Sequence, residues 1–147
     1  MKYVIILISI FLQNCTYPMY KLNENKYKLY NAKNVPNEKV YALDLSDGQF
    51  QRSEMISKYS DLVYLNISNN QLENFPEEIC KLKKLKVLNI SQNDFEELPE
   101  CFYMMKNMES LICFDCSISN VGDKFSSLNL KTFFYGENTF NLKTFKI

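Results

Sequence analysis

Two stretches of the chain, LVYLNISNNQL (Leu62–Leu72) and LKVLNISQNDF (Leu85–Phe95), carry the same arrangement of apolar residues and asparagine. Outward from them, the same arrangement continues in VYALDLSDGQF from Val40, MESLICFDCSI from Met108 and LKTFFYGENTF from Leu130. The five segments begin 22, 23, 23 and 22 residues apart. Self-similarity at a fixed spacing is the signature of a repeat architecture.

The first half of each segment predicts a short β-strand. Its fourth and sixth residues are apolar, and alternate side chains of a strand point to the same face of a sheet. The predicted core wall consists of Leu43 and Leu45, Leu65 and Ile67, Leu88 and Ile90, Leu111 and Cys113, and Phe133 and Tyr135. A single repeat leaves apolar edges open, so stability has to come from stacking on its neighbours.

The segments resemble the leucine-rich-repeat family, whose pattern is LxxLxLxxNxL followed by a more variable half. NFPEEICKLKK (Asn74–Lys84) and ELPECFYMMKN (Glu97–Asn107) also look like the family's variable half, LPxxIxxLxx. The resemblance covers about Val40 to Phe140, and it is weaker at both ends than in the middle. It implies an α/β solenoid, a right-handed coil with short parallel strands on the concave face and helical or irregular turns on the convex face.

The resemblance also assigns structural roles to individual residues. The family's asparagine position is held by Asn70, Asn93 and Asn138, where a buried amide bonds the turn and the adjacent repeat. Cys116 takes this position in the fourth segment. The residues expected to point inward from the convex side are Ile79 and Leu82, Phe102 and Met105, and Phe125 and Leu128.

Residues 1–15 predict a signal peptide. Tyr3 to Leu12 is an uncharged, mostly apolar run, and it is too short for the roughly 20 residues that cross a bilayer. The following LQNC (Leu12–Cys15) resembles the bacterial lipoprotein box, which makes Cys15 the candidate lipidation site and anchors the chain by its acyl groups. An ordinary cleaved signal peptide and a buried first strand are the alternatives.

Residues 16–39 are predicted to be a polar tether and an N-terminal cap, with a short helix over Tyr27–Val35 that turns Leu29 and Ala32 inward. Residues 40–147 are then the leucine-rich-repeat domain, about five repeats with a degenerate C-terminal end.

Composition excludes much chemistry. Seventeen basic residues balance seventeen acidic ones, so no global field favours nucleic acid. Histidine is absent, which removes the commonest general base and metal ligand. We therefore expect no enzyme activity, no cofactor and no metal site.

The remaining reactive groups favour structural interpretations. Cys113 and Cys116 form a CxxC, but both fall on core positions of a repeat rather than in a redox or metal motif. Cys80 and Cys101 occur at different phases of consecutive repeats, so a disulfide between them is not expected. The carboxylate pairs Glu77–Glu78 and Glu96–Glu97 are predicted to be solvated.

The strand residues that point away from the core form the predicted binding surface. The partner-binding candidates are Tyr64, Asn66, Asn89, Ile112, Phe114 and Phe134. Of these, Ile112, Phe114 and Phe134 are expected to form an exposed apolar cluster, the usual anatomy of an interaction hot spot. In the alternatives, a tail such as Phe140–Ile147 covers the cluster, or these last repeats are distorted caps.

The sequence thus predicts a non-catalytic module of the bacterial cell envelope that presents its concave surface to a protein partner, or to a glycan. We expect a monomer that is attached to the membrane through its N-terminal lipid, or is secreted. The alternative is an accessory or truncated fragment of a larger envelope enzyme or secreted effector.

Overall fold

The computed structural model describes residues 4–5, 28–37, 39–50, 52–119 and 123–136, which form a parallel β-sheet backed by short helices. The strands are β1 (Val4–Ile5), β2 (Leu29–Asn31), β3 (Ala42–Asp44), β4 (Tyr64–Asn66), β5 (Val87–Asn89), β6 (Ser110–Phe114) and β7 (Thr132–Gly136). From β3 onward a short helix lies between consecutive strands. These are 3₁₀ helices at Ser53–Lys58, Glu77–Lys81 and Asp123–Ser127 and an α-helix at Glu100–Tyr103.

Consecutive repeats place their strands side by side. The order across the sheet is β1-β7-β6-β5-β4-β3-β2, and every pairing is parallel. The register aligns Leu43, Leu65, Leu88, Leu111 and Phe133 in one row. Residues of equal repeat phase therefore share one face of the sheet, and the predicted solenoid of short parallel strands is confirmed.

The main hydrophobic core fills the space between the sheet and the short helices. The predicted core-wall residues are buried there, except Leu45, which is partly buried. The predicted inward residues of the helical side are buried as well: Ile79, Leu82, Phe102, Met105, Phe125 and Leu128. Each repeat thus covers the apolar edge of the one before it, which makes burial of apolar surface the main favourable term.

Aromatic rings join successive repeats inside this core. The ring centroids of Phe75 and Phe102 are 5.3 Å apart, and those of Phe102 and Phe125 are 6.2 Å apart. Phe125 lies 5.3 Å from Phe133 on β7. These separations fall in the range that aromatic pairs prefer, so one line of rings crosses the boundaries between repeats.

Asn93 connects two turns by buried hydrogen bonds. Its side-chain amide donates to the carbonyls of Ile67 and Ile90, each at 2.9 Å. Its Oδ1 accepts from the backbone N–H groups of Asn70 at 3.2 Å and Leu72 at 3.1 Å. The amide therefore satisfies backbone groups that the turns leave without partners in the sheet.

Asn70 repeats this arrangement one coil earlier. Its amide donates to the carbonyls of Leu45 at 2.9 Å and Ile67 at 2.8 Å, and its Oδ1 accepts from the backbone of Phe50 at 3.1 Å. One coil after Asn93, the Sγ of Cys116 lies 3.3 Å from the carbonyl oxygen of Ile90. A thiol thus takes the amide's place there, and Asn138 lies outside the described residues.

The expectation that Cys80 and Cys101 remain unpaired is wrong. They form a disulfide with Cα atoms 5.8 Å apart. The short helices Glu77–Lys81 and Glu100–Tyr103 lie side by side, so the difference in repeat phase does not separate the two thiols. Cys113 and Cys116 are buried in the main core, which agrees with structural roles.

The predicted short helix over Tyr27–Val35 is also wrong. Leu29–Asn31 is strand β2, which pairs with β3, and Ala32 is exposed. The free edge of β3 offers backbone groups that a strand satisfies and a helix does not. A turn follows at once, because Asn34 Oδ1 accepts from the Asn31 backbone at 2.8 Å and Asn31 Oδ1 accepts from that of Lys33 at 3.0 Å.

The other edge of the sheet is β1, which falls within the predicted signal peptide. Val4 and Ile5 pair with Thr132 and Phe133 of β7. Cys15 lies outside the described residues, so its lipidation stays a prediction. Within the described ranges, no helix has the length and apolar character needed to cross a bilayer.

Candidate partner-binding surface

The face of the sheet opposite the main core, here called the outer sheet face, is built from two rows of strand residues. The register places Ala42, Tyr64, Val87, Ser110 and Thr132 in the first row. The second row consists of Asp44, Asn66, Asn89, Ile112 and Phe134. As the sequence predicts, the second row is polar in its first three repeats and apolar in the last two.

The polar half of the second row is held by local hydrogen bonds. Asn66 Oδ1 accepts from the backbone N–H of Ser68 at 3.0 Å, and Asn89 Oδ1 accepts from that of Ser91 at 3.1 Å. The Asn66 amide also donates to Asp44 Oδ1 at 3.1 Å. These bonds fix the side chains and shape the turns that follow β3, β4 and β5.

The predicted exposure of the apolar cluster is wrong. Ile112 is 0% and Phe134 3% exposed, whereas Phe114 is partly buried. Tyr64 and Asn66 are also buried, so only Asn89 and Phe114 of the six candidates keep partial exposure. The apolar side chains of the outer sheet face contact one another across neighbouring strands. Each Å² of apolar surface that is removed from water in this way stabilises the fold by about 25 cal/mol.

This second cluster is separate from the main core. It contains Ala42, Tyr64, Val87, Ile112 and Phe134, with Leu29 and Phe114 partly buried against it. The repeat phase correctly assigned these residues to one face. Exposure of the face was not predictable, because it depends on what lies over the sheet.

Accessible side chains lie where the strands end, on what we call the turn ridge: Asp47, Asn69, Gln92 and Asp115. All four are exposed, and their φ angles of 51° to 57° are left-handed. The backbone N–H of Asn69 donates to Ser91 at 2.9 Å, and that of Gln92 donates to Phe114 at 2.8 Å. Each turn is therefore fixed by the next repeat.

The turn ridge presents amide and carboxylate groups. The amide of Asn69 donates to Asp47 Oδ1 at 2.8 Å, so neighbouring positions on the ridge are in direct contact. The ridge occupies the eighth position of each repeat, immediately after the polar seventh position. A polar residue at the eighth position of every segment is the sequence signal of the ridge, whereas the predicted binding residues all lie on strands.

The opposite ends of the strands carry ion pairs. Glu109, which precedes β6, accepts from Lys131 Nζ at 2.6 Å and Lys86 Nζ at 2.9 Å. Hydrogen bonds from Lys131 and then from Lys86 lower the pKa of Glu109, against a smaller opposing effect of burial. Lys84 pairs with Asp61 in the same manner and lowers the pKa of that carboxyl. These ion pairs at the starts of the strands, here called the charged flank, join neighbouring repeats by electrostatic attraction.

The acidic residues and cysteines of the described ranges do not converge on one site. No group of three or more histidine, cysteine, aspartate or glutamate residues there has the arrangement of a metal site. Glu77, Glu96 and Glu97 are exposed and Glu78 is partly exposed, in agreement with solvated carboxylates. A cleft of about 330 Å³ is lined by Lys39, Lys58 and Asp61 among others, and the Asp61 carboxyl there is already paired with Lys84.

Comparison with known proteins supports the repeat assignment. A model of leucine-rich repeats matches two copies at residues 60–100. Among 18 matching chains of solved structures is the leucine-rich repeat domain of APL1B, with a TM-score of 0.57 and 14% sequence identity. The match covers 91% of this chain but 37% of that one, so this chain spans well under half the length of its structural relative. No curated protein matches significantly.

The register, the asparagine-bonded turns and these matches define a leucine-rich-repeat solenoid. The fold of the described chain is accordingly that of leucine-rich repeats, and residues 60–100 are the part that matches the family model.

Proposed function

We propose that this chain is a non-catalytic protein-binding module that presents its strand side and turn ridge to a protein partner. The observation that carries the proposal is the row register, which joins equivalent positions of consecutive repeats into one continuous surface. Solenoids characteristically use such extended surfaces for binding.

The accessible part of this surface is the turn ridge together with Asn89 and Phe114. The ridge supplies hydrogen-bonding groups, and Phe114 supplies an apolar contact beside Asp115. A partly exposed ring flanked by polar groups has the composition of a protein-binding hot spot with a rim. A glycan remains the second ligand class, since amide and carboxylate side chains also bond hydroxyl groups.

Affinity capture with matched variants tests this surface. The bait is the full chain, incubated with an extract of the native envelope. We expect Gln92→Arg on the turn ridge to reduce capture of a specific protein at least about tenfold, because a long cation replaces an exposed amide at the contact. The control is Asn74→Arg, the same gain of charge at an exposed position on the helical side. Equal capture by the two variants would contradict the proposal.

We also propose that the chain acts at the cell envelope, attached through lipidated Cys15. LQNC supports the anchor, and the Cys80–Cys101 disulfide supports an oxidising compartment outside the cytosol. Cys15→Ala is expected to move the protein from the membrane to the soluble fraction on fractionation, because the acyl chains have no other attachment point. Unchanged membrane partitioning would overturn the anchor, and secretion is the alternative.

A further inference from the structure

The cleft near Lys39 and Lys58, here called the entry cleft, lies where the chain enters strands β3 and β4. Its volume is about 330 Å³, and it is lined by residues 37, 39–40 and 58–61. Pockets for small ligands typically hold about 300 to 1,000 Å³, whereas one water molecule needs only about 10 to 15 Å³ of such space. The entry cleft is therefore large enough for a small organic ligand.

Both walls of the entry cleft are anchored in the main core. Val40, which leads into β3, is buried, and so is Ile56 of the helix that ends at Lys58. The backbone N–H of Tyr59 donates to the carbonyl of Ile56 at 2.9 Å, and that of Leu62 donates to the carbonyl of Tyr59 at 3.0 Å. The cleft is thus formed in advance, so binding a ligand costs little ordering of the chain.

The charges at the entry cleft are unbalanced. Its lining contains Lys39, Lys58 and a single carboxylate, Asp61, which pairs with Lys84 of the next repeat. A hydrogen bond from Lys84 lowers the pKa of Asp61 most, burial opposes this effect, and the positive charges of Lys84 and Lys39 lower the pKa further. Among the described residues, no carboxylate lies within ion-pair distance of Lys39 or Lys58. Two positive charges are therefore left uncompensated at the cleft.

We propose that the entry cleft binds the phosphate group of a small phosphate monoester. Such a group carries a charge of about −1.5 to −2 at pH 7, which matches two ammonium groups better than a singly charged carboxylate or sulfate ester does. Lysine is a common phosphate ligand because it supplies a compact positive charge. The lining also includes Asn37, Tyr59 and Ser60, whose side chains can donate hydrogen bonds to the remaining phosphate oxygens.

This site goes beyond the proposed protein-binding surface. The entry cleft lies at the starts of the strands, and the turn ridge lies at their ends. A phosphate monoester and a protein partner would therefore occupy different parts of the molecule. The same phosphate chemistry is found in free metabolites and in lipid headgroups, and the experiment has an arm for each source.

Titration of the full chain with glycerol 3-phosphate, followed by the backbone amide signals in NMR spectra, tests the site. At an ionic strength of about 0.15 M, where the screening length is about 8 Å, we expect saturable shifts at residues 37, 39–40 and 58–61. Lys39→Gln and Lys58→Gln should each weaken binding at least about fivefold, because each removes a charged hydrogen-bond donor. Methyl sulfate, a single anion of similar shape, should also bind at least about fivefold more weakly.

Lys81→Gln is the matched control. Lys81 is exposed and ends its 3₁₀ helix as Lys58 ends the preceding one, but it does not line the cleft. Its loss should leave the affinity within about twofold of the unaltered chain, since it contacts no bound phosphate. Equal weakening by Lys81→Gln and Lys58→Gln would overturn the inference in favour of general attraction to a basic surface. Equal affinity for methyl sulfate, or shifts that do not saturate, would overturn it as well.

Because Lys39 and Lys58 are exposed, their variants should fold, and thermal unfolding verifies this. Sedimentation with vesicles of phosphatidic acid, compared with vesicles of phosphatidylcholine, distinguishes the two sources. Preference for phosphatidic acid that is lost in Lys58→Gln would assign a lipid headgroup, whereas binding of glycerol 3-phosphate alone would assign a free ester. No protein partner enters these measurements, so failure of the site and failure of the proposed function are distinguishable.

Discussion

The two faces of the sheet follow different rules although they share the same strands. On the core face the row runs Leu43, Leu65, Leu88, Leu111, Phe133, apolar throughout and buried. On the outer sheet face the adjacent row changes from Asp44 through two asparagines to Ile112 and Phe134. The core face packs against its own repeats, which demands the same residue type in each. The outer face is not held to one residue type, because its rows lie outside the core between the sheet and the short helices.

The largest effect expected from this comparison concerns the apolar end of the outer face. Phe134→Asp should lower the free energy of unfolding by about 4 kcal/mol, because it removes a buried ring and buries a carboxylate. Phe114→Asp, at a partly buried position, should cost about 1 kcal/mol. Urea denaturation measures both. Similar small losses for the two variants would mean that Phe134 is accessible after all.

A medium effect distinguishes the faces within a single strand. Leu88→Ala on the core face should lower the free energy of unfolding by about 3 kcal/mol, through lost burial and a cavity. Val87→Ala, its neighbour on the outer face, should cost about 1.5 kcal/mol because fewer methyl groups leave a less enclosed site. Chemical denaturation of the two variants measures both losses in the free energy of unfolding, so that they can be compared. A larger loss of stability from Val87→Ala than from Leu88→Ala would show that side chains pack more tightly on the outer sheet face than on the core face.

The smallest effect belongs to neither face but to the charged flank. The lowered pKa of Glu109 means that its stabilisation is fully present above the unfolded value of about 4.5 and is lost as pH falls through the folded value. Glu109→Gln should therefore be less stable than the unaltered chain at pH 7, by at most about 1 kcal/mol. The difference should disappear in strong acid. A difference that persists unchanged at about pH 2 would assign the loss to packing.

The repeat fold could be predicted because every copy carries its own signals. The spacing of the apolar residues predicts the core positions of Leu65 and Leu88, and the asparagine position of the repeat predicts the roles of Asn70 and Asn93. Features that depend on neighbours in space were missed. β2 is a strand because β3 has a free edge, and Cys80 meets Cys101 because two short helices lie side by side.

The candidate site was predicted only in part for the same reason. The position of each residue within its repeat correctly placed Tyr64, Ile112 and Phe134 on one side of the sheet. It does not say whether their side chains are exposed to solvent. The turn ridge was visible as a polar eighth position in each repeat. The exposure of the ridge depends on its left-handed backbone geometry. A residue type such as the glutamine at Gln92 does not predict that geometry from the sequence.

That geometry restricts how the ridge can diversify. At a φ near 55°, valine, isoleucine and threonine are strongly disfavoured, whereas asparagine, aspartate and glycine are tolerated best. Variation at these four positions would therefore change the pattern of donors and acceptors far more readily than it would introduce branched aliphatic contacts. The backbone geometry of the ridge therefore favours ligands that bind through hydrogen bonds to polar side chains.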